Sequence, residues 1–290
     1  MSVGAYPSMG LRPHCGFWQT SRFALSLAQP LVMGIVNVTP DSFSNDRAFQ
    51  NATEAIKHAE HLALEGANIL DIGGESSRPG AKPLSHEQEW ERVEPVIKEL
   101  VKWNLPISLD TYHPQSMRKA LEAGVDIIND IWALRQPQAL QVVAGYGCGV
   151  CLMHMHAEPS NMQLSPMQGD AVLAVSDFFK NRIQAAQEHG IALNRLVVDP
   201  GIGFGKSVDQ NFSLLQRQKE LLNLQLPLLV GWSRKSSLGA VTGLEVTERL
   251  VPSIAAALLA VERGAAVVRV HDVAFTTAAL KIWKCASAVG

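Results

Sequence analysis

Three acceptor side chains in this 290-residue chain each close a short apolar run. Asp110 follows Pro106–Leu109, Asn129 follows Val125–Ile128, and Asp199 follows Leu196–Val198. Carboxylates and amides in apolar surroundings are costly to bury without partners, and they suit a flat polar heterocycle that brings hydrogen-bond donors. A second set can carry positive charge: Arg78, Lys235, Arg269 and His271, again at the ends of runs. In a chain of net charge −2 such a set argues for a charged substrate such as a phosphate ester. Arg269 and His271 are two residues apart and can share one side of a strand, which favours an anion site there. Taken singly, each acceptor is a turn former or helix cap and each cation a solvated surface group. Their meaning depends on elements that bring them together.

Those elements are legible in the hydrophobic pattern. Leu196–Val198 is a short run that can be buried on both faces. It stops at Asp199, and Pro200 with Gly201, Gly203 and Gly205 turns the backbone at once. We read these glycines as letting a ligand approach the backbone closely. Similar runs end near residues 37, 75, 110, 130, 154, 199, 235 and 271, about 33 residues apart, close to the ~31 per unit of an eight-unit barrel. Between them, helical periodicity predicts helices over 53–65, 85–102, 114–123, 137–146, 170–189, 209–222, 247–263 and 274–283. Crossovers of this length force parallel strands. The expected fold is an α/β (β/α)8 TIM barrel forming a single domain over residues 29–290. Residues 1–28 form either a leader or a first hairpin, and a doubly wound open sheet is the competing architecture. In the barrel, polar strand ends converge on one face, where active sites sit.

Composition narrows the function classes. At 47% hydrophobic and 18% charged, with a slightly acidic balance, the chain suits a globular protein with a large core and no field to recruit nucleic acid or an anionic membrane. No apolar run approaches ~20 residues, and residues 1–22 lack a secretory pattern. Four scattered cysteines, Cys15, Cys148, Cys151 and Cys285, suit a reduced cytoplasmic protein. Cys148 and Cys151 have C-x-x-C spacing, but no second ligand pair follows, and they sit in a strand-like run. Gly203–Ser207 resembles the end of a phosphate-binding P-loop but has proline where the first glycine is required, and the dinucleotide fingerprint fails as well.

Five segments together resemble the dihydropteroate synthase family: Asn37-Val-Thr-Pro-Asp-Ser-Phe-Ser44, Gly74-Glu-Ser-Ser-Arg-Pro-Gly80, Asp199-Pro-Gly-Ile-Gly-Phe-Gly-Lys206, Ser233-Arg-Lys-Ser236 and Arg269-Val-His-Asp272. The likeness runs from about Leu31 to the last helix. It implies a cytoplasmic, usually dimeric barrel that joins 4-aminobenzoate to 6-hydroxymethyl-7,8-dihydropterin diphosphate. Mg2+ would accompany the diphosphate, and sulfonamides would compete as 4-aminobenzoate mimics. By the same resemblance, Asp110, Asn129, Asp199 and Lys235 hold the pterin, while Arg269 and His271 hold the leaving diphosphate with Asn37 as the Mg2+ contact. Phe43, Ser77, Arg78, Pro79, Lys235 and Ser236 surround 4-aminobenzoate, and Asp110, Arg78 and Lys235 carry the chemistry.

Three departures from the family pattern stand out. Asn45–Asp46–Arg47 replaces a common Asp-Gly-Gly, which should stiffen the first loop. Ser77 stands for threonine, and Trp232 is bulkier than usual. The rival readings are a pterin-binding methyltransfer module and a non-catalytic binder of pterins or another phosphorylated metabolite. The first has no use for residues 76–80 or the Arg269–His271 pair.

Overall fold

The computed structural model describes residues 16–38, 45–75, 83–157, 162 and 166–287. Its strands are β1 (Phe17–Gln19), β2 (Ala24–Ser26), β3 (Leu31–Asn37), β4 (Ile69–Gly73), β5 (Ile107–Asp110), β6 (Ile127–Asp130), β7 (Gly149–Met153), β8 (Leu196–Asp199), β9 (Leu228–Val230) and β10 (Ala265–Val270). The last eight close into a barrel of parallel strands, with β10 beside β3, so the open-sheet alternative is excluded.

Side-chain alternation explains why the strand sequences are continuously apolar. One set, including Val36, Leu70, Ile72, Leu152, Val198 and Val268, packs outward under the helices. The other, including Met33, Ile69, Ile127, Cys151, Val197, Leu229 and Val267, fills the barrel interior. Each strand is therefore buried on both faces. Burial pushes the Cys148 thiol up to about 11 and the Cys151 thiol well above its ordinary value. Both cysteines are free and behave as core residues. Among the described residues no group of three His, Cys, Asp or Glu is placed to hold a metal.

The surrounding helices are α1 (Asn45–Leu64), α2 (His86–Leu100), α3 (Pro114–Ala123), α4 (Ala139–Ala144), α5 (Ala171–Glu188), α6 (Val208–Gln216), α7 (Ser236–Thr242), α8 (Leu250–Glu262) and α9 (Val273–Ser287). Three of their starts, those of α2, α5 and α6, are capped by side chains. Ser85 and Gln88 form a capping box on α2, and Asp170 accepts the Val172 and Leu173 amides at the head of α5. The largest differences from expectation are in four places. The first helix begins at Asn45, so Asn45–Asp46–Arg47 lies in its first turn, where the absence of glycine favours a helix. The fourth is shorter than read, and the segment expected over 209–222 breaks after Gln216 into a 3-10 turn at Gln218–Leu224. Helix α7 was not expected, because seven residues are too few to display a period.

The antiparallel pair β1–β2 lies at the N-terminal end of the barrel. Trp18 is fully buried there among the interior residues and donates its indole N–H to the Arg195 carbonyl at 2.9 Å. A side chain at Gly149 would come within 3.0 Å of that indole nitrogen, so the plug and its seat are matched. Between the two strands, Arg22 grips the fully buried Asp126 at 2.6 and 2.9 Å, and Asp126 also accepts the Ile107 amide at 3.0 Å.

Candidate active site

Above the apolar interior, the C-terminal ends of the strands carry a polar layer. Register pairs Gly73 with Asp110 and Asp110 with Asn129, so two of the expected acceptors lie at one level on neighbouring strands. Asp199 joins them from β8. Arg269 crosses this layer. Its Nε donates to Asp71 Oδ2 at 2.6 Å and its Nη2 to Asp110 Oδ2 at 2.8 Å. Asn129 Nδ2 donates to the same Asp71 oxygen at 3.0 Å. Sequence reasoning missed Asp71, although a carboxylate inside the apolar run Ile69–Leu70–Asp71–Ile72 was a usable signal: inside a barrel it needs a cation.

Charge in this layer is incompletely balanced. Burial pushes Asp110 up to about 7; Arg269 opposes the rise, while Asp71, Glu89 and Asp130 add repulsion. Burial also raises Asp199, against the Gly201 amide and Lys235. The same burial works against the Arg269 charge, but Asp71 and Asp110 outweigh it and hold that pKa above its ordinary value. Lys235 is brought down to about 8 by burial, with Asp199 resisting. Its ammonium lies over the Phe204 ring, 4.3 Å from the centroid.

The turn after β8 is fixed by its own groups. Asp199 Oδ1 accepts the Gly201 amide at 2.7 Å. Gly201, Gly203 and Gly205 all have positive φ, at 65°, 83° and 67°. An added Cβ would lie 1.9 Å from the His154 carbonyl at Gly201 and 2.3 Å from the His156 carbonyl at Gly205. Those two glycines therefore admit the neighbouring loop and not, as expected, a ligand; a Cβ at Gly203 would lie 3.4 Å from Lys235 Cδ. Lys206, 2% exposed, ties the turn together by donating to Gly201 O at 2.9 Å, Phe204 O at 3.1 Å and His154 O at 3.4 Å.

Next around the barrel, after β9 and β10, Ser233 Oγ accepts the His271 amide at 3.2 Å and meets His271 Nδ1 at 3.0 Å. The hydroxyl hydrogen can be given to Nδ1, and in that tautomer the ring proton is on Nε2 as a donor. Burial, with Arg234 and Arg269, brings His271 down to about 4, so the ring is neutral near pH 7. Arg234 has φ 58° and forks onto Asp272 at 2.6 and 3.1 Å, lashing the β9 loop to the end of β10. Lys235 is thereby held at the start of α7, with Ser236 exposed beside it.

Asn37 is exposed at the end of β3, and a Cβ at Gly73 would sit 3.8 Å from both its Oδ1 and Asp110 Cβ. Glycine keeps that floor open. Phe43, Ser77, Arg78 and Pro79 lie outside the described residues. Beside segment 76–82, Glu75 accepts from Tyr112 OH at 3.0 Å and from the Leu84 amide at 3.2 Å, another role not foreseen. A separate apolar cluster of Ile131, Met153, Met155, Met162 and Phe204, joined by Tyr112 and Trp132, lies against the polar layer. Trp232 is buried in the outer core, its ring centroid 5.4 Å from that of Phe212.

Acceptors set among apolar walls at a barrel mouth suit an enzyme that grips a flat polar heterocycle, and the family is that of pterin binding enzymes. The model of the pterin binding enzyme family matches residues 33–271. Dihydropteroate synthase of Neisseria meningitidis serogroup B is 48% identical over 92% of this chain and 96% of its own, and that of Escherichia coli K12 is 44% identical over 89% and 92%. Among solved structures, Xanthomonas albilineans dihydropteroate synthase with 4-aminobenzoic acid is 49% identical, covers 92% of this chain and 96% of its own, and superposes with a TM-score of 0.86. The Burkholderia cenocepacia enzyme complexed with 7,8-dihydropteroate is 46% identical over 94% and 97%, with a TM-score of 0.85. The chain belongs to the dihydropteroate synthase family, transferases of folate biosynthesis.

Proposed function

We propose that the chain condenses 6-hydroxymethyl-7,8-dihydropterin diphosphate with 4-aminobenzoate, giving 7,8-dihydropteroate and pyrophosphate. The observation that carries this is the shared guanidinium: Arg269 joins an acidic layer, where a heterocycle would become cationic, to the side where an anion would leave. Asp110, Asn129 and Asp199 accept hydrogen bonds from the pterin ring, and Lys235 covers it. Loss of diphosphate leaves a pterin-stabilised methylene cation. That charge favours the ionised form of Asp110, so the carboxylate interacts more strongly with the transition state than with the ground state. His271 donates from Nε2 to the departing phosphate, and Arg269 adds charge. The amine of 4-aminobenzoate, held by Lys235 and Ser236 with Phe43, Ser77, Arg78 and Pro79, then attacks.

Mg2+ would accompany the diphosphate substrate, and Asn37 is the residue that would contact it. Asn37 offers one neutral amide oxygen, which suits an ion that keeps several waters and binds chiefly through phosphates. When bound, the ion neutralises charge on the leaving group. A homodimer is supported by apolar side chains exposed at helical spacing: Val251 and Leu259 on α8, Phe275 and Ile282 on α9, between 45% and 73% exposed. Free thiols support a cytoplasmic setting, and no helix among the described residues is long and apolar enough to cross a membrane.

The test is pyrophosphate release with Mg2+ and both substrates. We expect turnover that requires the pterin diphosphate and is competed by sulfonamides. Folded protein that releases no pyrophosphate would overturn the assignment.

A further inference from the structure

We propose that Asp71 is a positioning residue for this transfer: from beneath the site it fixes the orientations in which Arg269 and Asn129 meet the substrate. The inference rests on the reaction assigned above. Asp71 is fully buried two residues before the end of β4, below the level of Asp110, so it touches no substrate. Its Oδ2 accepts from Arg269 Nε at 2.6 Å and from Asn129 Nδ2 at 3.0 Å. Those partners come from β10 and β6, each two strands away around the barrel, and the carboxylate reaches both across the interior.

Each bond selects one geometry. A guanidinium is a rigid planar fork, so anchoring Nε sets the plane in which Nη2 reaches Asp110 at 2.8 Å. An amide that spends its Nδ2 on Asp71 has its Oδ1 left to accept from a ligand. Packing gives no reason for a carboxylate here: its register partners are Ile35 and the neutral, fully buried Ser108, and the interior position below it on the same strand is Ile69. Burying a charge is no gain for stability when an apolar residue fits, and Asp71 Oδ1 is buried without a hydrogen-bond partner. The charge is explained by the two site residues it orients, as supporting groups orient a site built on strands.

The experiment uses the full chain carrying Asp71→Asn or Asp71→Ser, alone and combined with Arg269→Lys. Melting temperature, kcat and both KM values are measured. We expect melting within a few degrees of wild type, kcat/KM for the pterin diphosphate lowered about tenfold or more, and KM for 4-aminobenzoate within about twofold. In the Arg269→Lys background, which lacks the fork, the Asp71 substitutions should add less than about twofold. Costs that multiply in the double variants, unchanged kinetics, or loss of fold in both single variants would each overturn the proposal. An inactive wild type would instead refute the reaction; calorimetric binding of the pterin diphosphate then decides the role of Asp71, with equal affinity in wild type and Asp71→Asn counting against it. A wild type that neither turns over nor binds would remove both.

Discussion

The two ends of the barrel treat buried charge in opposite ways. At the N-terminal end, Asp126 receives Arg22 through two nitrogens and the Ile107 amide as well, and Arg22 also reaches the Val101 carbonyl at 2.7 Å. Both Arg22 and Asp126 have partners from the same chain. At the C-terminal end one guanidinium serves Asp71 and Asp110 together, Asp110 rises to about 7, and Lys235 falls to about 8. The first arrangement is finished when the chain folds. On the proposed function the second would be completed by the substrate, and that difference would separate groups that hold the fold from groups that do chemistry.

The contrast breaks if substitutions at the two ends have similar consequences. The largest expected effect is from Asp126→Asn, which removes a fully buried carboxylate that takes the Ile107 amide and two nitrogens of Arg22, itself about 35% exposed. Thermal unfolding should show a loss of about 3 kcal/mol from these charge-assisted bonds, or about 6–12 °C in Tm, with pterin diphosphate affinity within about twofold of wild type. Next comes Asp199→Asn, which should weaken pterin diphosphate binding about 10- to 100-fold by calorimetry while moving Tm by no more than about 2 °C. Equal losses of binding and stability would make Asp199 a structural residue and erase the contrast.

The smallest effect sharpens it. In a pH profile, kcat/KM should fall below about 7 as Asp110 takes up a proton and above about 8 as Lys235 loses one. Asp126→Asn should leave both limbs in place. The same Asp110 shift has a stability sign. Its folded pKa lies above the ordinary 3.8, so the folded chain keeps a proton that the unfolded chain releases between about pH 4 and 7. The stability from that proton is present below about 4 and is lost as pH rises to 7.

Much of this architecture could be read from residues alone, for physical reasons. Strand ends at Asp110, Asn129 and Asp199 were legible because a buried run that stops at a polar group is a local pattern. Ser85, Asp170 and Gly124 marked helix ends for the same reason. What stayed hidden depends on distance along the chain. Arg269 finds Asp71 across 198 residues, and Trp18 finds Arg195 across 177. No local spacing announces either pairing. Lys206 looked like the tail of a glycine-rich loop, because nothing nearby shows that three carbonyls converge on its ammonium.

The Arg269–Asp71 bond also sets an order of events during synthesis. Asp71 comes from the second strand of the barrel and Arg269 from the eighth, so recognition cannot be assembled piecemeal. A growing polypeptide emerging from the ribosome would carry Asp71, Asp110, Asn129 and Asp199 before Arg269 exists, so on the proposed function substrate would meet a complete site only once that final strand slots in beside the first.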